Sequence, residues 1–361
     1  MLRDRIRGSL IGGAAGDALG YAIEFLGENE IFKRYGNSGI REYSLDSVSG
    51  KALISDDTQM TLFTAEGIIN WCSGNESHRL EQLRFYENRA YQDWLTTQEI
   101  PFDNSCYDKK KARKTIPKGL MNVSELYSCR APGITCLSAL EKRKTQHLIN
   151  SSFIEDKINN SKGSGSVMRA APIGFLNYDI RELDMESAEI AAITHCHSLG
   201  YMPAAVLSHV IHGIIYNDNQ MTLKEIVEDA RDTVAKIFKN DEHVDELINI
   251  INDAIELSEN NDSDLDNIHR LGEGWVSEEA LAIALYCSLR YHYDFSECII
   301  KAVNHKGDSD STGAIAGNII GAWVGYNEID SKWKNNLELE EVIVELANNL
   351  YNELINKYPA L

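Results

Sequence analysis

In the stretch TGAIAGNIIGAWVG, residues 312–325, glycine recurs at positions 313, 317, 321 and 325. A four-residue step is close to one turn of an α-helix, so the glycines form a stripe along one face. A stripe without Cβ atoms lets a second backbone approach more closely than side chains permit. Apart from Thr312 and Asn318 the other residues of the segment are apolar, so a helix here is packed deep. Whatever stands at its entrance is drawn toward the protein interior.

The rest of the chain is compatible with that frame. Ile343, Leu346, Ala347, Leu350 and Leu354 recur at three- and four-residue steps, with acids on the opposite face. Segments 222–239, 243–258 and 277–291 read the same way, and period-two alternation bounded by turn signals is not evident. These patterns predict an all-α fold, with one domain over 1–361 and no repeat of fixed period. Two segments interrupt the helical pattern. Residues 96–165 form a long excursion containing KKKARK (109–114), an APG turn (131–133) and KINNSKGSGS (157–166). Residues 259–275 read as a polar loop ending in Gly-Glu-Gly-Trp. The opening MLRDRIRGSLIGGAAGDALG mimics a signal peptide, but Asp4 and Asp17 interrupt that pattern, so it is assigned to a first helix. No run of about eighteen apolar residues marks a membrane span.

The entrance to the glycine-striped segment reads GDSDST, placing Asp308, Asp310 and Ser311 where burial is expected. A second cluster, Ser55-Asp56-Asp57, opens the apolar run that continues to Trp71. A helix N-terminus favours one such acid as a cap or dipole partner. Capping and metal binding therefore both remain open for the first cluster taken alone. Two clusters together shift the balance, because buried carboxylates without partners either protonate or bind cations. Aspartate and hydroxyl oxygens are hard ligands, suited to Mg²⁺, Mn²⁺ or Ca²⁺ rather than zinc.

With 55 acidic against 35 basic residues, the net charge of −20 disfavours nucleic-acid backbones and anionic membranes as partners. Seven scattered cysteines without a CxxC pair suit a reducing, cytoplasmic setting. DSDSTG opens like an EF-hand loop, but the twelfth position is Ile319 instead of a bidentate glutamate. DxDxT also resembles a phosphatase nucleophile motif, which needs a preceding buried strand that AVNHKG does not supply.

Six segments resemble, in order, the signature blocks of the ADP-ribosylglycohydrolases. They are GSLIGGAAGDALGYAIEF (8–25), ISDDTQMTL (54–62), GSGSVMRAAPIG (163–174), ITHCHSLG (193–200), GEGWVSEEALAIALY (272–286) and GDSDSTGAIAGNIIGAWVG (307–325). The resemblance implies a multi-helix fold around two Mg²⁺ or Mn²⁺. It implies that Ser55, Asp56, Asp57, Asp308, Asp310 and Ser311 are the metal ligands, with Glu24 beside them. Glu24 and Asp57 are then the candidate catalytic carboxylates for attack of water at a glycosidic carbon. Ser164, Gly165, Ser166, Arg169, His195 and Trp275 fall at substrate-binding positions, the glycine loop facing a pyrophosphate. On residue type alone, Arg169 is equally a structural ion-pair partner, His195 a structural histidine and Trp275 a core tryptophan. The chain departs from the family pattern at RAPGITCLSAL (130–140), where several relatives carry a catalytic acid and this sequence has none.

The implied reaction is removal of ADP-ribose from a modified protein side chain, arginine first. The alternatives are serine-linked, nucleotide-linked or O-acetyl ADP-ribose, or an immunity role in which an ADP-ribosylating toxin is bound, with the 96–165 excursion as docking element.

Overall fold

The computed structural model describes residues 1–74, 79–102, 119–144, 152–216 and 220–357. Fifteen α-helices are found among them. These are α1 (Leu2–Tyr21), α2 (Glu28–Tyr35), α3 (Asp56–Cys72), α4 (Leu83–Glu99), α5 (Ile134–Arg143), α6 (Ile180–Ala191), α7 (Ser198–Ile215) and α8 (Leu223–Ile237). They continue with α9 (Val244–Glu259), α10 (Asp264–Leu271), α11 (Ser277–Arg290), α12 (Phe295–Val303), α13 (Ser309–Val324), α14 (Ser331–Lys334) and α15 (Glu340–Lys357). Two single bridges, Ala52 with Leu337 and Gly163 with Val276, are the β pairing among the described residues. The fold is all-α, as the periodicity indicates.

The glycine stripe finds its partner in α1, which runs antiparallel to α13 at the centre. Gly8, Gly12 and Gly16 face Gly321, Gly317 and Gly313, and Gly20 faces Ser309. A Cβ built on Gly12 would stand 2.3 Å from the Gly317 carbonyl oxygen, and one on Gly317 only 2.0 Å from the Gly12 oxygen. Neither residue type nor rotamer can relieve such a contact, so glycine is required on both sides. Gly325, the fourth member of the stripe in sequence, lies past the helix. It ends α13 at φ 85°, a left-handed position that suits glycine.

Around this pair stand α15, α12, α11, α7 and α3, with α4, α6, α8 and α9 outside them. α7 is long and apolar enough to cross a membrane by composition, yet apart from His212 and Gly213 its residues are buried within the protein. The segment 259–275 is not a plain loop. It contains α10, whose N-terminus is capped by Ser263 accepting the Asp266 N–H at 3.2 Å. The 96–165 excursion contains the end of α4, short 3₁₀ turns and α5. Its KKKARK cluster lies outside the described residues.

Candidate active site

The antiparallel pairing sets the end of α1 beside the start of α13, which brings remote acids together. At the start of α3, Ser55 is extended and its hydroxyl accepts the Asp57 N–H at 3.1 Å. Asp17, on α1, accepts the Ser55 N–H at 3.0 Å on each carboxylate oxygen and the Thr58 N–H at 3.1 Å. The Thr58 hydroxyl also donates to it. Capping of α3 is thus done by Ser55 and Asp17, which leaves the side chains of Asp56 and Asp57 for another use. Ser55 itself does not line the cleft, and its bond to the Asp57 amide uses one of the two lone pairs of its hydroxyl.

Asp56, Asp57, Asp308, Asp310, Ser311 and Glu24 line one cleft of about 430 Å³. Ligand oxygens of Glu24, Asp308 and Asp310 lie within 4.8 Å of one another. Asp308 Oδ2 accepts the Ser164 hydroxyl at 2.6 Å, and Asp310 Oδ1 accepts the Ser311 N–H at 3.0 Å. Gly133 N–H reaches Asp56 Oδ2 at 3.3 Å, and Asp56 N–H donates to the Arg130 carbonyl at 3.1 Å. No lysine or arginine among the described residues forms an ion pair with any of these acids or with Asp17. Burial, then mutual repulsion with Asp308, Asp56 and Asp17, pushes Glu24 up to about 8. Burial raises Asp56 to about 8 and Asp17 to about 6, and holds Asp57, Asp308 and Asp310 well above the carboxylate range. Glu24 Oε2 and Asp57 Oδ2 are buried without a hydrogen bond. A cluster of hard oxygens with orphaned lone pairs fits divalent cations of the Mg²⁺ or Mn²⁺ type.

The glycine loop forms another wall. Ser164 and Gly165 line the cleft, at the start of a short 3₁₀ turn over Ser164–Ser166. The Ser164 amide is taken by the Trp275 carbonyl at 3.2 Å. Two residues assigned to substrate lie elsewhere. Ser166 is buried and its hydroxyl donates to the Gly200 carbonyl at 2.6 Å. Arg169 is buried beneath the loop and pairs with neither phosphate-facing space nor the acid clusters. Both support the loop from behind. His195 lines the cleft, and burial followed by the Arg169 charge lowers its pKa to about 3, keeping it neutral. Trp275 is no core residue. It is 44% exposed at the rim, with Phe25 and Ile134 also exposed there.

Asp17 was not legible as a site residue, although an acid inside a helix of small and apolar residues is itself a signal. The 130–136 segment was legible only as lacking an acid. It serves through its backbone, as the Asp56 contacts show. Within it Ala131 adopts φ 54°, strained for a residue with a Cβ. Ala131→Gly is expected to raise stability by about 1 kcal/mol with hydrolysis retained, checked by denaturant unfolding at unchanged slope.

A family model described as ADP-ribosylglycohydrolase matches residues 1–360. The chain is 22% identical over 348 residues to the ADP-ribosyl-[dinitrogen reductase] glycohydrolase of Rhodospirillum rubrum, covering 94% of this chain and 92% of that one. It is 24% identical over 357 residues to the ADP-ribosylarginine hydrolase Tri1 of Serratia proteamaculans (strain 568), covering 96% and 79%. A solved structure described as an ADP-ribosylglycohydrolase-related protein complex superposes with a TM-score of 0.64 at 21% identity, covering 98% of this chain and 99% of that one. That likeness concerns the fold.

Proposed function

The chain belongs to the ADP-ribosylglycohydrolase family, and from that premise we propose that it is a divalent-metal-dependent hydrolase releasing ADP-ribose from modified arginine side chains of protein. The observation that carries this reading is the convergence of Glu24, Asp308 and Asp310 in one cleft with Asp56 and Asp57, without an ion pair to any lysine or arginine among the described residues. Asp56, Asp57, Asp308, Asp310 and Ser311 would hold two Mg²⁺ or Mn²⁺, with Glu24 beside them. Ser55, whose hydroxyl oxygen keeps a second lone pair while accepting the Asp57 amide, would join them. Bound ions supply positive charge for the ribose hydroxyls and acidify a water.

The chain's own residues supply the rest. Without bound ions, burial and the neighbouring carboxylates hold Glu24 up at about 8, and its Oε2, which has no hydrogen bond among the described residues, is placed to take or give a proton beside the reacting bond. Asp57, with Oδ2 equally free, is the second candidate for this role. The Gly165 backbone suits a pyrophosphate, with His195, neutral, beside it. Trp275 at the rim offers a flat face to the adenine or ribose. The Serratia relative, whose name specifies ADP-ribosylarginine, supports arginine as the acceptor. The six cysteines among the described residues are free thiols, which fits a cytoplasmic setting. A toxin-binding immunity role draws on the 96–165 excursion, and no observation in its described part favours it.

The test is incubation with arginine-ADP-ribosylated protein in Mg²⁺, Mn²⁺ or chelator, following release of labelled ADP-ribose. Release with either metal and none in chelator is expected. Label retained under all three conditions ends the proposal, and faster release from a serine-linked substrate ends the arginine assignment alone.

A further inference from the structure

Arg169 is buried in the floor of the glycine loop with no ion pair among the described residues, and its hydrogen bonds show what it does there. Nη1 donates to the Gly165 carbonyl at 2.6 Å and Nη2 to the Thr194 hydroxyl at 2.7 Å. The guanidinium lies over the Tyr91 ring, 4.4 Å from its centroid. A guanidinium only donates, so Thr194 Oγ1 accepts in that contact and its own proton goes elsewhere. Two acceptors are in reach, His195 Nδ1 at 2.8 Å and the Ala191 carbonyl at 3.5 Å. The first is a well-formed hydrogen bond and the second is at the limit of one.

A hydroxyl that donates to Nδ1 requires that nitrogen to be bare, which leaves the ring proton on Nε2. The Arg169 cation acts in the same direction, since it favours a ring lone pair on its side over an N–H dipole. The opposite edge of the ring meets the loop. Nε2 lies 3.4 Å from where a Cβ on Gly163 or on Gly165 would stand, so both glycines leave this edge open.

We infer that Arg169 and Thr194 are positioning residues that fix His195 in its Nε2–H tautomer, making it a permanent neutral donor to the oxygen-rich ligand of the glycine loop. In this state His195 is no general base. It selects an acceptor oxygen, such as a phosphate or hydroxyl oxygen, and disfavours a ligand presenting only N–H groups. The identity of that ligand as ADP-ribose rests on the proposed function, but the tautomer does not.

The experiment uses the full chain labelled with ¹⁵N-histidine. Long-range ¹H–¹⁵N correlations are recorded between pH 5.5 and 8, with His195→Gln assigning the signals. The expected result is a non-titrating His195 with Nε2 protonated and Nδ1 bare. In Thr194→Val the two nitrogens should move toward each other in shift, and ADP-ribose should bind roughly tenfold more weakly by calorimetry. Thr194→Ser should restore both readings. A protonated Nδ1 in the unsubstituted protein overturns the inference, as does an unchanged tautomer in Thr194→Val. Should Thr194→Val fail to fold, the unsubstituted spectrum decides alone. Absence of ADP-ribose binding to the unsubstituted protein would overturn the ligand assignment while the spectrum still decides the tautomer.

Discussion

Asp310→Ala is expected to slow ADP-ribose release about a thousandfold or more and, in chelator, to make the protein more stable. The two effects come from one cause. Asp310 sits buried at the first turn of α13, beside Glu24 and Asp308 and without an ion pair to a lysine or arginine among the described residues. Removing it takes away a proposed metal ligand and also relieves a repulsive cluster. The pH dependence has a defined sign. Glu24 and Asp56 ordinarily titrate at 4.5 and 3.8, but in the fold they are raised to about 8. Between those values the native state binds more protons than the unfolded chain, so stability falls as pH rises. The stabilising contribution is complete below about 4 and lost on passing through about 8. Metal-free protein should therefore unfold more easily at pH 8 than at pH 5.5, and Asp310→Ala should flatten that slope. Added Mg²⁺ or Mn²⁺ should restore stability at pH 8 in the unsubstituted protein and much less in Asp310→Ala. Thermal unfolding across pH, with chelator and with metal, reads all of this. A variant less stable in chelator at pH 8 would contradict the account.

How much of this was visible in the sequence depends on the kind of information each residue carries. Asp308 and Asp310 could be recognised because a glycine-striped apolar helix follows them, and depth of packing is a local property of that pattern. The convergence with Asp56 and Asp57 was inferred from ligand chemistry, and the cleft holds all four. The partner of the stripe was not identified, although Gly8, Gly12, Gly16 and Gly20 repeat the same four-residue step. Matching two stripes is a statement about non-local contact, which spacing within either one does not contain. For the same reason Asp17 escaped notice as a cap. Its hydrogen bonds go to α3, 38 and more residues away in the chain. Ser166 and Arg169 belong to a motif whose members point to both sides of one turn. Motif membership places the loop, but only the backbone path decides that Ser164 faces Asp308 while Arg169 lies underneath. For Trp275, residue type alone suggests core and the motif suggests substrate, and the Gly272 and Gly274 turn, at φ 128° and 83°, carries it to the rim.

The α1–α13 contact carries the largest expected stability effect. Gly317→Ala places a methyl group 2.0 Å from the Gly12 carbonyl oxygen and 2.6 Å from its carbonyl carbon. These are backbone atoms in the centre of a helix, so no side chain can swing aside. The two helices must separate along much of their length, with loss of apolar contact on both faces. A cost of about 3 kcal/mol is expected, at the upper end for inserting one methyl group into a packed core. Gly27→Ala is the matched control, because nothing lies within 4 Å of its Cβ position and φ is −74°. It should change stability by about 0.5 kcal/mol or less. Activity should follow the same contact. Gly16 against Gly313 and Gly20 against Ser309 hold Glu24 and Asp17 beside Asp308 and Asp310, so helices pushed apart also open the acid cluster. Under conditions where Gly317→Ala remains folded by circular dichroism, its release of ADP-ribose should still be reduced and its metal requirement shifted to higher concentration. Full activity at unchanged metal concentration in a folded Gly317→Ala protein would mean that the close approach of the two backbones does not set the geometry of the site.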